Sequence, residues 1–175
     1  LWLYARRRLG ASRSTSGADD LRYRRWQWWM SGIYVLGCAS RSFVLRSDVR
    51  RLAMFDSWIT SVLVGRTIAT VAEICFVVQW ALLLGRVARQ QRHTPARVLS
   101  RILVPLIVVA EIFSWYGVLS TNYLGHAIEE SIWTVTAFLF VLGLGLCYRR
   151  ADAALRRCIV VAAVLGAGYI GFMTL

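Results

Sequence analysis

Apolar runs long enough to cross a lipid bilayer constrain this chain more than any other feature. A helix needs roughly 20 mostly apolar residues to traverse a ~30 Å hydrocarbon core. Inside that core every backbone amide must be satisfied within the protein, which leaves helices or a closed barrel as spanning structures. Four segments reach or approach the required length: 57–84, 102–119, 132–147 and 158–175. No strand-like alternation competes with them. The two prolines, Pro95 and Pro105, are expected in a loop and near a helix start, where proline is tolerated. The expected fold class is therefore all-α: a polytopic transmembrane helical bundle of four to five membrane-spanning helices.

The fifth candidate, 26–44, is less apolar. It carries Trp26, Trp28, Trp29 and Tyr34, but also Ser31, Gly32, Gly37, Ser40 and Arg41. Tryptophans directly after Arg22, Arg24 and Arg25 suit the headgroup region. The segment reads either as a span or as an interfacial helix lying in the membrane plane. Residues 1–25 are expected to form a basic N-terminal tail, and 26–175 a single transmembrane helical domain. Arg6, Arg7, Arg8 and Arg13, with several serines and no acid before Asp19, suit a tail resting on anionic headgroups. The same composition suits the remnant of an organelle transit segment. The chain opens on Leu1 and closes inside an apolar run, which reads as part of something longer.

Twenty-one basic residues, all arginine, face nine acids and give a net charge of +12. Such an excess can mark a nucleic-acid surface, but its distribution points elsewhere. The 85–101 connection holds Arg86, Arg89, Arg92, Arg97 and Arg101 without an acid. The 149–157 connection holds Arg149, Arg150, Arg156 and Arg157 against Asp152, and the connection between the two has Glu129 and Glu130 but no arginine. Basic, acidic, basic is the alternation that the positive-inside rule requires of antiparallel spans. If 26–44 also crosses, only Arg46, Arg50 and Arg51 fall on the wrong side, which favours five spans. Membrane topology thus accounts for the basicity, and nucleic acid is not an expected partner. The expected partners are the lipid bilayer, anionic lipids at the basic connections, and other membrane protein subunits. The expected location is an organelle inner membrane or a bacterial cytoplasmic membrane.

Ionisable residues inside the spans are the candidate site. A charge at the bilayer centre costs about 3 kcal/mol or more, so such residues turn toward protein or water and find partners. Arg66 and Glu73 share one helix face with Thr70 between them. Seven residues rise about 10.5 Å, which on this reading is too far for a direct bond along one helix. Counted from the basic ends, Glu73 and Glu111 lie at one depth, and Arg66 lies level with Glu129 or Glu130, with His126 one turn away. A two-tier polar seam is predicted. Its upper tier is Arg66 with Glu129 or Glu130 and His126. Its lower tier is Glu73 with Glu111, two acids that need a proton, a cation or a metal between them. Thr70, Ser114, Tyr116 and Asn122 are candidate hydrogen-bonding partners. The same seam also reads as structural, with protonated carboxyls and an ion pair that sets helix register.

Motifs for chemistry are missing. Without lysine there is neither a Schiff base nor a P-loop, and no Gly-x-Ser-x-Gly nucleophile occurs. Cys38, Cys75, Cys147 and Cys158 make no C-x-x-C or zinc spacing. His126 to Glu129 runs in the reverse order to a di-iron Glu-x-x-His and occurs once. No cofactor is required by any motif; if a metal binds, its expected ligands are Glu73, Glu111, His126 and Glu130. Small residues recur every four positions at Ser61, Gly65 and Ala69, and again at Ala163, Ala167 and Gly171, a pattern that lets helix backbones approach closely. Trp58, Trp80, Trp115 and Trp133 are expected as anchors and fillers. The functional expectation is a non-enzymatic subunit or scaffold of a larger membrane assembly. The alternative is proton or cation transport through the buried carboxylates, and a third reading is a membrane metallo-oxidoreductase.

Overall fold

The structure, a computed structural model, describes residues 17–173 except 45, 48–51 and 54–56. The first sixteen residues of the basic tail, and Arg50 and Arg51, lie outside the described residues. The fold is all-helical: α1 (Ala18–Phe43), α2 (Val62–Gln90), α3 (Thr94–Ser120), α4 (Tyr123–Cys147) and α5 (Ala153–Met173), with short 3-10 turns at Trp58–Thr60 and Tyr148–Arg150. Between α1 and α2, Arg46–Ser47 pairs antiparallel with Leu52–Ala53. Helices α2 to α5 are each long and apolar enough to cross a membrane, and the chain is a multi-pass, membrane-embedded bundle.

Polar residues start these helices. The Ser61 hydroxyl accepts from the Val64 amide at the head of α2, and His93 Nδ1 accepts from Ala96 at the head of α3. Asn122 Oδ1 accepts from Leu124 at 2.9 Å before α4, and Asp152 Oδ1 accepts from Leu155 at 2.7 Å before α5. Each cap satisfies an amide that the first turn would leave open. The α2–α3 and α3–α4 turns are correspondingly tight, with Arg92 and Thr121 in the left-handed region at φ 50° and 54°.

The helices outrun the predicted spans. Helix α3 begins at Thr94 rather than 102, and α4 at Tyr123 rather than 132. Pro95 therefore sits in the first turn of α3, and Pro105 is interior to the helix on an exposed face. The arginines read as a loop at 85–101 mostly decorate helix ends. Hydropathy marks only the part of a helix that lies in hydrocarbon; a long arginine stem lets the helix continue while its charge reaches the headgroups.

Helix α1 does not lie across the end of the bundle. It runs antiparallel along α2 in register over most of its length. Asp20 pairs with Arg86 at one end. In the middle, Gln27 Nε2 donates to the Gln79 carbonyl at 3.0 Å and the Ser31 hydroxyl donates to Gln79 Oε1 at 2.7 Å. Further along, Tyr34 stacks on Phe76 at 4.5 Å between ring centroids. Near the far end Gly37 meets Ala72 so closely that a Cβ on Gly37 would lie 2.6 Å from that of Ala72. The polar residues that lower the hydropathy of α1 thus partly face its neighbour. Outside the apolar region, Asp20 accepts from Arg86, which holds its carboxyl below the ordinary value, helped by Arg24 at 2.7 Å.

The core is built from α2, α3 and α4. Val77, Leu84, Leu103 and Ile107 are fully enclosed, and Trp80 stacks on Phe140 at 5.0 Å with Trp133 edge-on at 6.3 Å. Trp80 and Trp133 are interior fillers, whereas Trp58 is 80% exposed. Outward-facing Ile112, Leu119, Phe138 and Val164 supply the apolar exterior that lipid demands. Helix α5 packs on α4 through Leu155, Ile159, Ala162, Gly166 and Tyr169. That is one position away from the predicted stripe, and Ala167 and Gly171 are exposed. On a helix this rich in small apolar residues, a four-residue repeat fits more than one face and polarity does not choose among them. The first stripe fares better: Ala69 is buried, and Gly65 faces the groove between α1 and α2. All four cysteines are free.

Candidate functional site

Arg66, in the second turn of α2, is only 5% exposed. Its Nη2 donates to Glu111 Oε2 on α3 at 2.7 Å and to Glu129 Oε1 on α4 at 3.3 Å, and lies 3.7 Å from Glu73 Oε2 on its own helix. One guanidinium nitrogen thus ties three helices together. The Thr70 hydroxyl donates to Glu111 Oε2 at 2.6 Å, and the Trp115 indole N–H donates to Thr70 Oγ1 at 3.0 Å. His126 Nδ1 meets the other oxygen of Glu129 at 3.1 Å.

The two predicted tiers are therefore one cluster. Glu73 does approach Arg66, because side chains on a helix tilt toward its N-terminus; Glu73 leans back toward Arg66 and the arginine stem covers the remaining rise. The Arg66 guanidinium also reaches Glu111, so the acid pair expected to lack a cation has one. Of the two candidate acids on α4, Glu129 enters the cluster and Glu130 is exposed. Arg66, Thr70, Glu73, Glu111, Glu129 and His126 are brought together, whereas Asn122 caps α4 and Tyr116 is exposed. Ser114 is fully buried, and among the described residues its hydroxyl has no hydrogen-bond partner, nor do Arg66 Nε, Glu111 Oε1 and His126 Nε2.

Sequence reasoning missed Trp115 as a donor, and it missed the two glycines that let α3 and α4 close around the site. A Cβ on Gly125 would lie 2.6 Å from Gly117 Cα and 2.8 Å from the Phe113 carbonyl oxygen. The helices touch backbone to backbone there, one residue before His126. The available signal was a pair of glycines flanking the tight turn at Thr121 and Asn122.

Depth and charge decide what the cluster can do. Glu129 lies about 9 Å and Glu111 about 13.5 Å along their helices from the α3–α4 turn, at 1.5 Å per residue. The site occupies the half of the bundle away from the arginine-rich helix ends. One oxygen of each of Glu73, Glu111 and Glu129 lies within 4.8 Å of the others. Two ionised carboxylates at that separation repel by about 3.5 kcal/mol at an effective dielectric of 20. Among the described residues, three carboxylates stand against one guanidinium, which leaves two negative charges uncompensated when all three are ionised. A proton or a further cation relieves that excess. The predicted metal set of Glu73, Glu111, His126 and Glu130 is not assembled, since Glu130 points away. The three clustered acids offer an oxygen each, but the guanidinium already stands among them.

No protein-family model matches this sequence, and no curated protein or solved structure matches it either. The fold and the cluster define the class on their own: a multi-pass helical membrane protein with a buried arginine–glutamate ion-pair network.

Proposed function

We propose that this chain works in proton or cation transport, using the Arg66–Glu73–Glu111–Glu129 cluster as a reversible proton carrier. The observation that supports this reading is the imbalance, among the described residues, of three buried or half-buried carboxylates around one guanidinium. Glu111 is fixed as the arginine's closest partner and also accepts from Thr70. Glu129 is shared between Arg66 and His126. Glu73 stands farthest from the guanidinium, at 3.7 Å, and is the most exposed of the three. It is the acid least compensated when ionised and the one best able to exchange a proton with its surroundings.

A second reading keeps the cluster as a fixed clamp in a non-catalytic subunit of a larger assembly. Its support is that Arg66 bonds to both neighbouring helices and so sets their register. Infrared titration of the full chain in lipid nanodiscs separates the two. A proton carrier gives a protonated-carboxyl carbonyl band that disappears as pH rises and is lost in Glu73→Gln. In liposomes, Glu73→Gln also abolishes proton flux. A band insensitive to Glu73→Gln, together with unchanged flux, refutes the carrier and leaves the clamp.

A further inference from the structure

The basic end of the bundle, away from the carboxylate cluster, brings two connections into contact. Arg150, after α4, donates through Nη1 to the Gln91 carbonyl at the end of α2 at 3.2 Å. Within the α4–α5 connection, Arg156 Nη2 reaches back to the Arg149 carbonyl at 3.1 Å, and its guanidinium carbon stands 5.6 Å from the centre of the Tyr148 ring. Arg92 follows Gln91 directly. Four exposed arginines, Arg92, Arg149, Arg150 and Arg156, are thereby gathered where the two connections meet. The acid of these connections is Asp152, and its Oδ1 is already engaged in capping α5 through the Leu155 amide at 2.7 Å.

Charge and depth together select what this patch can hold. A guanidinium carries five N–H donors in a planar fork that fits phosphate oxygens, so the carbonyl bonds of Arg150 and Arg156 leave most of their donors available. Four like charges against one acid repel one another until an anion joins them, and a single phosphodiester supplies one negative charge. Helix α4, at 25 residues, is about 37 Å long and outruns the ~30 Å hydrocarbon core. Its end therefore stands at headgroup level, where the exposed ring of Tyr148 also fits. Immediately inward, Leu146 on α4 and Val160 and Val161 on α5 are exposed and give acyl chains an apolar surface. A soluble anion uses the arginines but leaves that surface idle.

We propose that the junction of the α2–α3 and α4–α5 connections binds an anionic lipid whose headgroup carries two phosphates, with Arg92, Arg149, Arg150 and Arg156 as its ligands. The lipid bridges α2 to the start of α5 on the basic side of the membrane. This inference is independent of the proton-carrier reading: it uses no residue of the Arg66 cluster, and either can fail without the other.

The test uses the full chain in nanodiscs of phosphatidylcholine, titrated with diphosphatidylglycerol, with phosphatidylglycerol as the one-phosphate lipid and glycerol 1,3-bisphosphate as the headgroup without tails. Saturable binding of one diphosphatidylglycerol per chain is expected, at least about tenfold tighter than either comparison ligand and weakening with salt. Arg150→Gln and Arg156→Gln should each weaken it about tenfold. Arg92→Gln and Arg149→Gln leave the Arg150–Gln91 and Arg156–Arg149 contacts in place; together they should weaken binding about a hundredfold without altering helicity. Arg25→Gln, on α1, makes the same change in net charge and should leave the affinity unchanged. Equal affinity for the one-phosphate lipid, or a loss in Arg25→Gln as large as in Arg150→Gln, would reduce the patch to diffuse attraction and overturn the proposal. Equally tight binding of glycerol 1,3-bisphosphate would make it a site for a soluble anion and overturn the lipid assignment.

Discussion

Arg66→Gln removes the guanidinium from the cluster and leaves a shorter, uncharged polar side chain. The variant loses the 2.7 Å bond to Glu111 and the 3.3 Å bond to Glu129. Glu111 and Glu129 are 3% and 8% exposed, so water cannot replace the guanidinium. Breaking a buried ion pair by removing one partner costs about 3–5 kcal/mol. That cost depends on pH, because the stranded carboxylates can escape only by binding protons. In the variant the folded state then binds more protons than the unfolded one, and stability falls as pH rises, by up to about 1.4 kcal/mol per pH unit per extra proton. The deficit relative to wild type is therefore smallest near the ordinary carboxyl range, about pH 4.3, and grows toward pH 8. Reversible unfolding in bicelles, followed by helicity across that range, measures it directly. A deficit below about 1 kcal/mol that does not change with pH would show Arg66 to be solvated and refute the picture of a dry charge network.

Three further outcomes follow from the geometry. Gly125→Ala places a Cβ against the Gly117 and Phe113 backbones, which cannot rotate away; thermal unfolding should show a loss of about 1–3 kcal/mol, while Gly168→Ala, with nothing within 4 Å, should be neutral. Thr70→Val keeps the shape but deprives Glu111 of a donor and Trp115 of its acceptor; it should cost about 1–3 kcal/mol, and Thr70→Ser should restore most of it. Asp20, held below its ordinary carboxyl value by Arg86, ties α1 to α2 above the unfolded-state value of 3.8 and releases it as pH falls below that. Proteolytic access to the start of α1 should therefore increase on acidification in wild type, and should be pH-independent in Asp20→Asn.

How far the site was legible follows from what each kind of information contains. Arg66, Thr70, Glu73, Glu111, His126 and Glu129 stood out in the sequence because polar groups within apolar runs are expensive and must be satisfied by protein. Their heights could be counted along each helix, and the counting placed Glu111 level with Glu73 and Glu129 level with Arg66. It could not show that one arginine stem reaches both levels, because side-chain reach across helices depends on their separation and rotation. Glu129 and Glu130 are adjacent, so height alone cannot separate them; about 100° of helical rotation does. The offset of the α5 packing face, from the predicted Ala163 and Ala167 to Ala162 and Gly166, has the same origin.

The sequence by itself determined the solvent and the class. Four apolar segments of spanning length and arginines alternating between connections dictate a helical membrane bundle, because lipid leaves backbone amides no other partner. Tertiary structure alone decided the neighbours. It laid α1 along α2 instead of across it, closed α3 on α4 at Gly117 and Gly125, and drew three carboxylates around one guanidinium. Those outcomes depend on how helices rotate and approach each other, and packing, not local composition, selects among the rotations that lipid tolerates equally.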